Sequence, residues 1–184
     1  MITCLLFDLD GTLFDSTAAN VAAYAAAFKD VGVTFDATAY KRLFGLRFDE
    51  MMAAIAPDMD AATRQKIKPL KAGYYEANFD LVRQNTGLLA LLRSCRAHYK
   101  TALVTTAARR NVTSLLRHFA VEETLFDVII TGDEVTHGKP DPECYLAAIK
   151  ALGVPAEQCC VFEDSDIGIT AARAAGADVI RVQL

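Results

Sequence analysis

Runs rich in Val, Ile, Leu and Phe recur at 2–7, 101–104, 126–130, 159–162 and 178–182, without the polar alternation of a sheet that has one wet face. Continuous apolar runs of this length predict parallel strands buried on both sides. Between the later runs lie segments at 87–98, 109–119, 142–152 and 167–175 whose apolar residues recur at helical spacing. Strand and helix alternating in this way predict an α/β fold with a Rossmann-like doubly wound parallel sheet. Asp141-Pro142 reads as an N-cap followed by Pro at N1, and Gly153 and Gly176 fall where left-handed residues end helices.

Residues 16–85 interrupt the alternation. They hold amphipathic pieces near 17–31, 37–44, 48–56 and 60–80, divided by Gly32, Gly45 and Pro57, and no convincing strand. A structureless loop of that length does not suit a compact domain, so a four-helix insertion after the first strand is expected. Pro69 should kink or split the last of these helices. The alanine-rich stretch from Ala18 to Ala27 gains a packing face from Val21, Tyr24 and Phe28. The expected organisation is a core of 1–15 and 86–184 with an inserted helical unit at 16–85.

Composition narrows the function classes. The 184 residues suit one core domain with a modest insertion, and no apolar run approaches the roughly 18 residues that a membrane-spanning helix needs. A net charge of −4 without a Lys/Arg cluster argues against nucleic acid or an anionic membrane as partner. An anionic substrate would have to be held by a few placed cations. The five cysteines include no CxxC pair, which points to buried reduced thiols. The start of the chain has no secretory pattern, so a cytoplasmic location is expected.

Open α/β sheets bind ligands beyond the carboxyl ends of their strands. There the chain places Asp8 and Asp10, then Thr105 and Thr106, then Glu163-Asp164-Ser165, while Lys139 follows the third run in "GKPDPECY". Residues two apart in extended chain face one side, so Asp8 and Asp10 address one site while Leu9 points away. Neighbouring carboxylates repel, and an oxygen-rich set completed by Asp164 suits Mg²⁺. Lys139 and Thr105 offer a point charge and a hydroxyl donor to a phosphoryl group. Singly, each feature has a plainer explanation: an Asp-Gly turn, a strand-end threonine, a surface lysine, a helix cap. Taken together they would bring carboxylates, a hydroxyl and a cation to one rim of the sheet.

"DLDGTLFDS", "VTT", "GKPDPECY" and "VFEDSDIGITAARAAG", in that order, resemble the motifs of the haloacid dehalogenase-like superfamily, in its phosphatase and phosphomutase branch. The resemblance implies that 16–85 is that branch's small α-helical cap. It implies that Asp8 is a nucleophile forming an aspartyl phosphate and that Asp10 is the general acid that later activates water. It further implies Mg²⁺ held by Asp8, the Asp10 carbonyl and Asp164 with help from Glu163, and a phosphoryl clamp of Thr105 and Lys139. Arg47, and Thr106 where relatives commonly have asparagine, are expected at the substrate. The expected substrate is a small-molecule phosphate ester.

A dehalogenase typically lacks the second acid, which is present here as Asp10. A phosphonatase needs a Schiff-base lysine where "FGLRFDEM" offers Arg47. A receiver domain would not normally carry its acceptor aspartate on the first strand or a cap behind it. A phosphomutase shares the acid pair, and a catalytically idle phosphate-binding module remains a non-enzyme alternative. Monomer and homodimer are both left open.

Overall fold

The computed structural model describes all residues, 1–184. Its main sheet contains β1 (Cys4–Phe7), β4 (Lys100–Val104), β5 (Val128–Ile130), β6 (Cys159–Glu163) and β7 (Asp178–Arg181), all parallel, in the spatial order β5-β4-β1-β6-β7. Helices α5 (Thr86–Cys95), α6 (Arg109–His118), α7 (Glu143–Leu152) and α8 (Asp166–Ala174) connect and cover the strands. The chain builds outward from β1 through β4 to β5, then crosses back to lay β6 and β7 on the other side. This places the reversal of strand order beside β1, where an open sheet leaves a crevice.

The uninterrupted apolar runs are explained by burial on both faces. Leu5 and Phe7 join Leu103, Cys160 and Phe162 in one apolar cluster, while Cys4 and Leu6 join Ala102, Val104, Cys159 and Val161 in the other. The register pairs Phe7 with both Leu103 and Phe162, so Asp8 emerges level with the ends of β4 and β6. All five cysteines are free thiols, and burial pushes that of Cys4 up to about 12.

The insertion contains α1 (Thr17–Asp30), α2 (Ala37–Arg42), α3 (Phe48–Ile55) and α4 (Ala61–Ala77). Tyr24, Phe28, Tyr40, Met51, Met52 and Ile67 form an apolar cluster of their own there. Helix α1 serves two clusters: Ala19 and Ala23 pack into the core next to the sheet, whereas Tyr24, Ala27 and Phe28 face the other helices. Small side chains on one flank and large ones on the other explain its alanine-rich sequence.

Local features depart from expectation. Pro69 lies inside an unbroken α4, whose packing through Ile67, Ala72 and Tyr75 outweighs the lost backbone hydrogen bond. Two short strands, β2 (Phe14–Asp15) and β3 (Arg83–Gln84), pair antiparallel where the chain leaves and re-enters the sheet region. Pro142 is the N-cap of α7 and not its first residue; Asp141 still accepts from the Glu143 N–H at 2.9 Å. Gly153, left-handed at φ 64°, ends α7 as expected, and Ser165 caps α8 by accepting from the Gly168 N–H. No helix is long and apolar enough to cross a membrane.

Candidate active site

Asp8 follows β1 directly and is almost wholly buried. Its Oδ1 accepts from Lys139 Nζ at 2.7 Å, while its buried Oδ2 has no hydrogen-bond partner. The Lys139 ammonium also donates to Glu163 Oε2 at 2.7 Å and lies 5.0 Å from the centre of the Tyr145 ring. Glu163 receives a second donor on Oε2, the Tyr145 hydroxyl at 2.6 Å, and Oε1 accepts from the backbone and hydroxyl of Ser165. Glu163 is therefore committed to steadying Lys139, which makes it the least free of the expected metal ligands.

Asp164 accepts from Thr12 Oγ1 at 3.0 Å. Gly11, at φ +96°, passes so close that any Cβ there would collide with the Asp164 carboxylate. Only glycine satisfies both the left-handed turn and this approach. Asp10 lines the same cleft, and its Oδ1 accepts from the Ser16 hydroxyl, which in turn receives Asn20 Nδ2 at 3.1 Å. Thr105 is buried at the end of β4, with its hydroxyl accepting from the Ala107 N–H at 3.0 Å.

Asp8, Glu163 and Asp164 bring ligand atoms within 4.8 Å of one another, and all are carboxylates. Burial, then repulsion from Glu163, lifts the Asp8 carboxyl well above its usual range despite Lys139. The same two causes lift Asp164 to about 6. Burial also works against Glu163, but Lys139, Tyr145 and Ser165 together hold its carboxyl below the usual value. Three carboxylates thus share one ammonium, and a dication would bring the group to neutrality. The orphaned Asp8 Oδ2 and the all-oxygen donor set fit a hard ion such as Mg²⁺.

The cleft above these groups has a volume of about 120 Å³ and is lined on the helical side by Asn20, Tyr24, Leu46, Phe48 and Lys71. Lys71 is buried, with its ammonium 4.3 Å from the Tyr75 ring centre and 5.1 Å from that of Tyr24. Burial pulls it down to about 8, against the opposing attraction of Asp10.

The structure brings Asp8, Asp10, Thr105, Thr106 and Lys139 to one cleft. It does not bring Arg47 there. Leu46 and Phe48 face the cleft, while the intervening Arg47 turns away, donating through Nη1 to Thr136 O and through Nη2 to Gly132 O at 3.2 Å. Arg47, expected at the substrate, thus lies outside the cleft lining, because in the chain entering α3 neighbouring side chains diverge. Thr106 lines the cleft, but its hydroxyl donates to Gly45 O at 2.8 Å. Lys71, Asn20 and Tyr145 escaped the sequence reading. The i, i+4 pairs Asn20–Tyr24 and Lys71–Tyr75 were the available signal, each placing a polar group and a phenol on one helix face.

The sequence profile of the haloacid dehalogenase-like hydrolases matches residues 5–182. The chain belongs to that family. It is 30% identical over 181 residues to a phosphorylated carbohydrates phosphatase from Thermotoga maritima, covering 96% of this chain and 82% of that one. It is 31% identical over 186 residues to the fructose-1-phosphate phosphatase YqaB of Escherichia coli, covering 98% and 96%. Among solved structures, CbbY from Rhodobacter sphaeroides in complex with phosphate superposes with a TM-score of 0.89 at 28% identity, covering 100% of this chain and 87% of that one. Membership in this family agrees with the strand order and with the four motifs at the strand ends.

Proposed function

We propose that this hydrolase is a Mg²⁺-dependent phosphatase of small phosphomonoesters that works through an aspartyl phosphate on Asp8. The observation that carries the reading is the state of Asp8: a buried carboxylate with one oxygen held by Lys139 and the other unpartnered, in a cleft shared with Asp10 and Thr105. Residues 16–85 form the cap over a core of 1–15 and 86–184, and the separate apolar cluster of the inserted helices supports this division.

In the first step the Asp8 carboxylate attacks phosphorus, the bond to the leaving oxygen breaks, and Asp10 gives that oxygen its proton. In the second, Asp10 takes a proton from water as the water attacks the same phosphorus, which releases inorganic phosphate and restores Asp8. Lys139 and the Thr105 hydroxyl hold the transferring oxygens, while Glu163 keeps Lys139 in place. The Ser16 hydroxyl fixes the orientation of Asp10. Asp8, Asp164 and the Asp10 carbonyl would hold Mg²⁺, which when bound offsets the negative charge of the carboxylates and of the incoming phosphoryl group.

Lys71 and Asn20, among aromatic walls, suit a hydroxylated or anionic leaving group. The names of the two curated relatives support a phosphorylated sugar and favour water as acceptor. A phosphomutase would use the same acid pair but pass the phosphoryl group to a sugar hydroxyl. The test is a panel of phosphate esters assayed for released phosphate and for isomerised sugar phosphate, with Mg²⁺ and with chelator, beside Asp8→Asn. Phosphate release that needs both Mg²⁺ and Asp8 is expected. Isomerisation without net release, or activity in Asp8→Asn, overturns the reading.

A further inference from the structure

The turn that brings Arg47 onto the core also grips the loop leading to Lys139. Arg47 holds the carbonyls of Gly132 and Thr136. Glu50 Oε1 accepts from the Gly138 N–H at 3.4 Å, and its Oε2 accepts from the Arg47 N–H at 3.3 Å. The Thr106 hydroxyl adds its bond to Gly45 O at 2.8 Å. The fit leaves no room at Gly138: a Cβ there would come within 2.6 Å of Arg47 Cγ and 2.8 Å of Glu50 Oε2. Lys139 is the next residue, with its ammonium on Asp8 and Glu163.

We propose that Arg47 and Glu50 are positioning residues: by clasping loop 132–138 they set the height and direction of Lys139 when the helical insertion is closed. Closure and a competent phosphoryl clamp then become one event. A guanidinium on two carbonyls and a carboxylate on an N–H form a polar clasp that water can replace on opening, so closure is reversible. The inference rests on the phosphatase reading for its kinetic readout, but not for its structural one.

The predicted kinetic signature follows from what Lys139 touches. The phosphoryl group is common to every ester, so Arg47→Ala should lower kcat about tenfold for large and small leaving groups alike, with little change in KM. Gly138→Ala should reproduce this by crowding the clasp, and the double variant should be no worse than the poorer single one, because both break one device. Hydrogen exchange of the parent and Arg47→Ala supplies a readout independent of activity. Segments 43–50 and 131–139 should both lose protection while the rest of the sheet keeps its own. Loosening of 43–50 alone would overturn the clasp even if the protein proved not to be a phosphatase. A rise in KM confined to esters with large leaving groups, or additive effects in the double variant, would also overturn it. A parent with no phosphatase activity but with coupled exchange would sink the function and leave the clasp standing.

Discussion

Lys139 Nζ and Asp8 Oδ1 stand 2.7 Å apart, both side chains closed off from solvent. The ammonium is shared with Glu163, so the two ends of this contact are not equivalent. Removing the cation strands two buried carboxylates, whereas removing the Asp8 charge relieves a carboxyl that burial already disfavours. Lys139→Met should therefore destabilise the metal-free protein by about 3–5 kcal/mol. Asp8→Asn should keep or raise the melting temperature while losing at least ~10³-fold in kcat. Thermal melts beside phosphate release check both; an Asp8→Asn protein that melts far below the parent would contradict the charge argument.

The acid cluster also fixes a sign for pH and metal. Asp164, lifted to about 6, and Asp8, lifted well above its usual range, both bind protons more tightly in the folded protein than in the unfolded chain. Their contribution to stability is present at pH below the ordinary carboxylate range and is lost as pH rises through the folded values. Mg²⁺ competes with those protons. It should raise the melting temperature of chelator-treated protein much more at about pH 7.5 than at about pH 5, reaching ~2.7 kcal/mol at a hundredfold excess over Kd. Equal shifts at both pH values would remove these carboxylates from the ligand set. Asp164→Asn should flatten the response.

Asp10 gives a prediction that depends on the leaving group. Its carboxylate receives the Ser16 hydroxyl, which is itself held by Asn20, so a single orientation is imposed on the proposed proton donor. Alkyl leaving groups need that proton and phenols scarcely do. Asp10→Asn should cost alkyl esters ~10²-fold or more, and aryl phosphates much less. Equal losses for the two ester types, measured as kcat/KM, would reject Asp10 as the leaving-group acid.

The core was legible because its signals are local and strong. Strands buried on both faces leave unbroken apolar runs, and a functional group at a strand end is next in sequence to such a run. That adjacency put Asp8, the Thr105-Thr106 pair and Glu163-Asp164-Ser165 at strand ends, while the choice of Thr105 over Thr106 came from the family register. The helical insertion was legible as helices, since its spacing is periodic, but its contribution to the cleft was not. Lys71 reads as one more polar residue of α4, and only tertiary packing against Tyr24 turns it inward. Arg47 is the opposite case. Its neighbours Leu46 and Phe48 do face the cleft, but the bend at the start of α3 sends the charged side chain to Gly132 and Thr136. The β2–β3 pair is only two residues long on each strand, too short for alternation to register.

Lys71 makes the last prediction. Its ammonium is buried against two phenol faces, with Asp10 as the opposite charge nearest enough to matter, and its affinity for protons falls to about 8 from 10.5. A folded value depressed in this way means that the buried charge costs stability below about pH 8, and that the cost fades as pH rises toward 10.5. Lys71→Met keeps most of the volume and removes the charge, so it should melt higher than the parent at neutral pH, with the difference shrinking above about pH 8. The charge is retained, on this reading, because the leaving group uses it. Lys71→Met should raise KM for sugar phosphates about tenfold, close to the 1.4 kcal/mol of one good polar contact, and barely alter KM for p-nitrophenyl phosphate. In the parent, KM for an anionic sugar phosphate should climb through about pH 8 as the ammonium loses its proton, and that rise should be missing from Lys71→Met. A variant with lower stability and an equal loss on both substrates would show that Lys71 supports the helices and does not read the substrate.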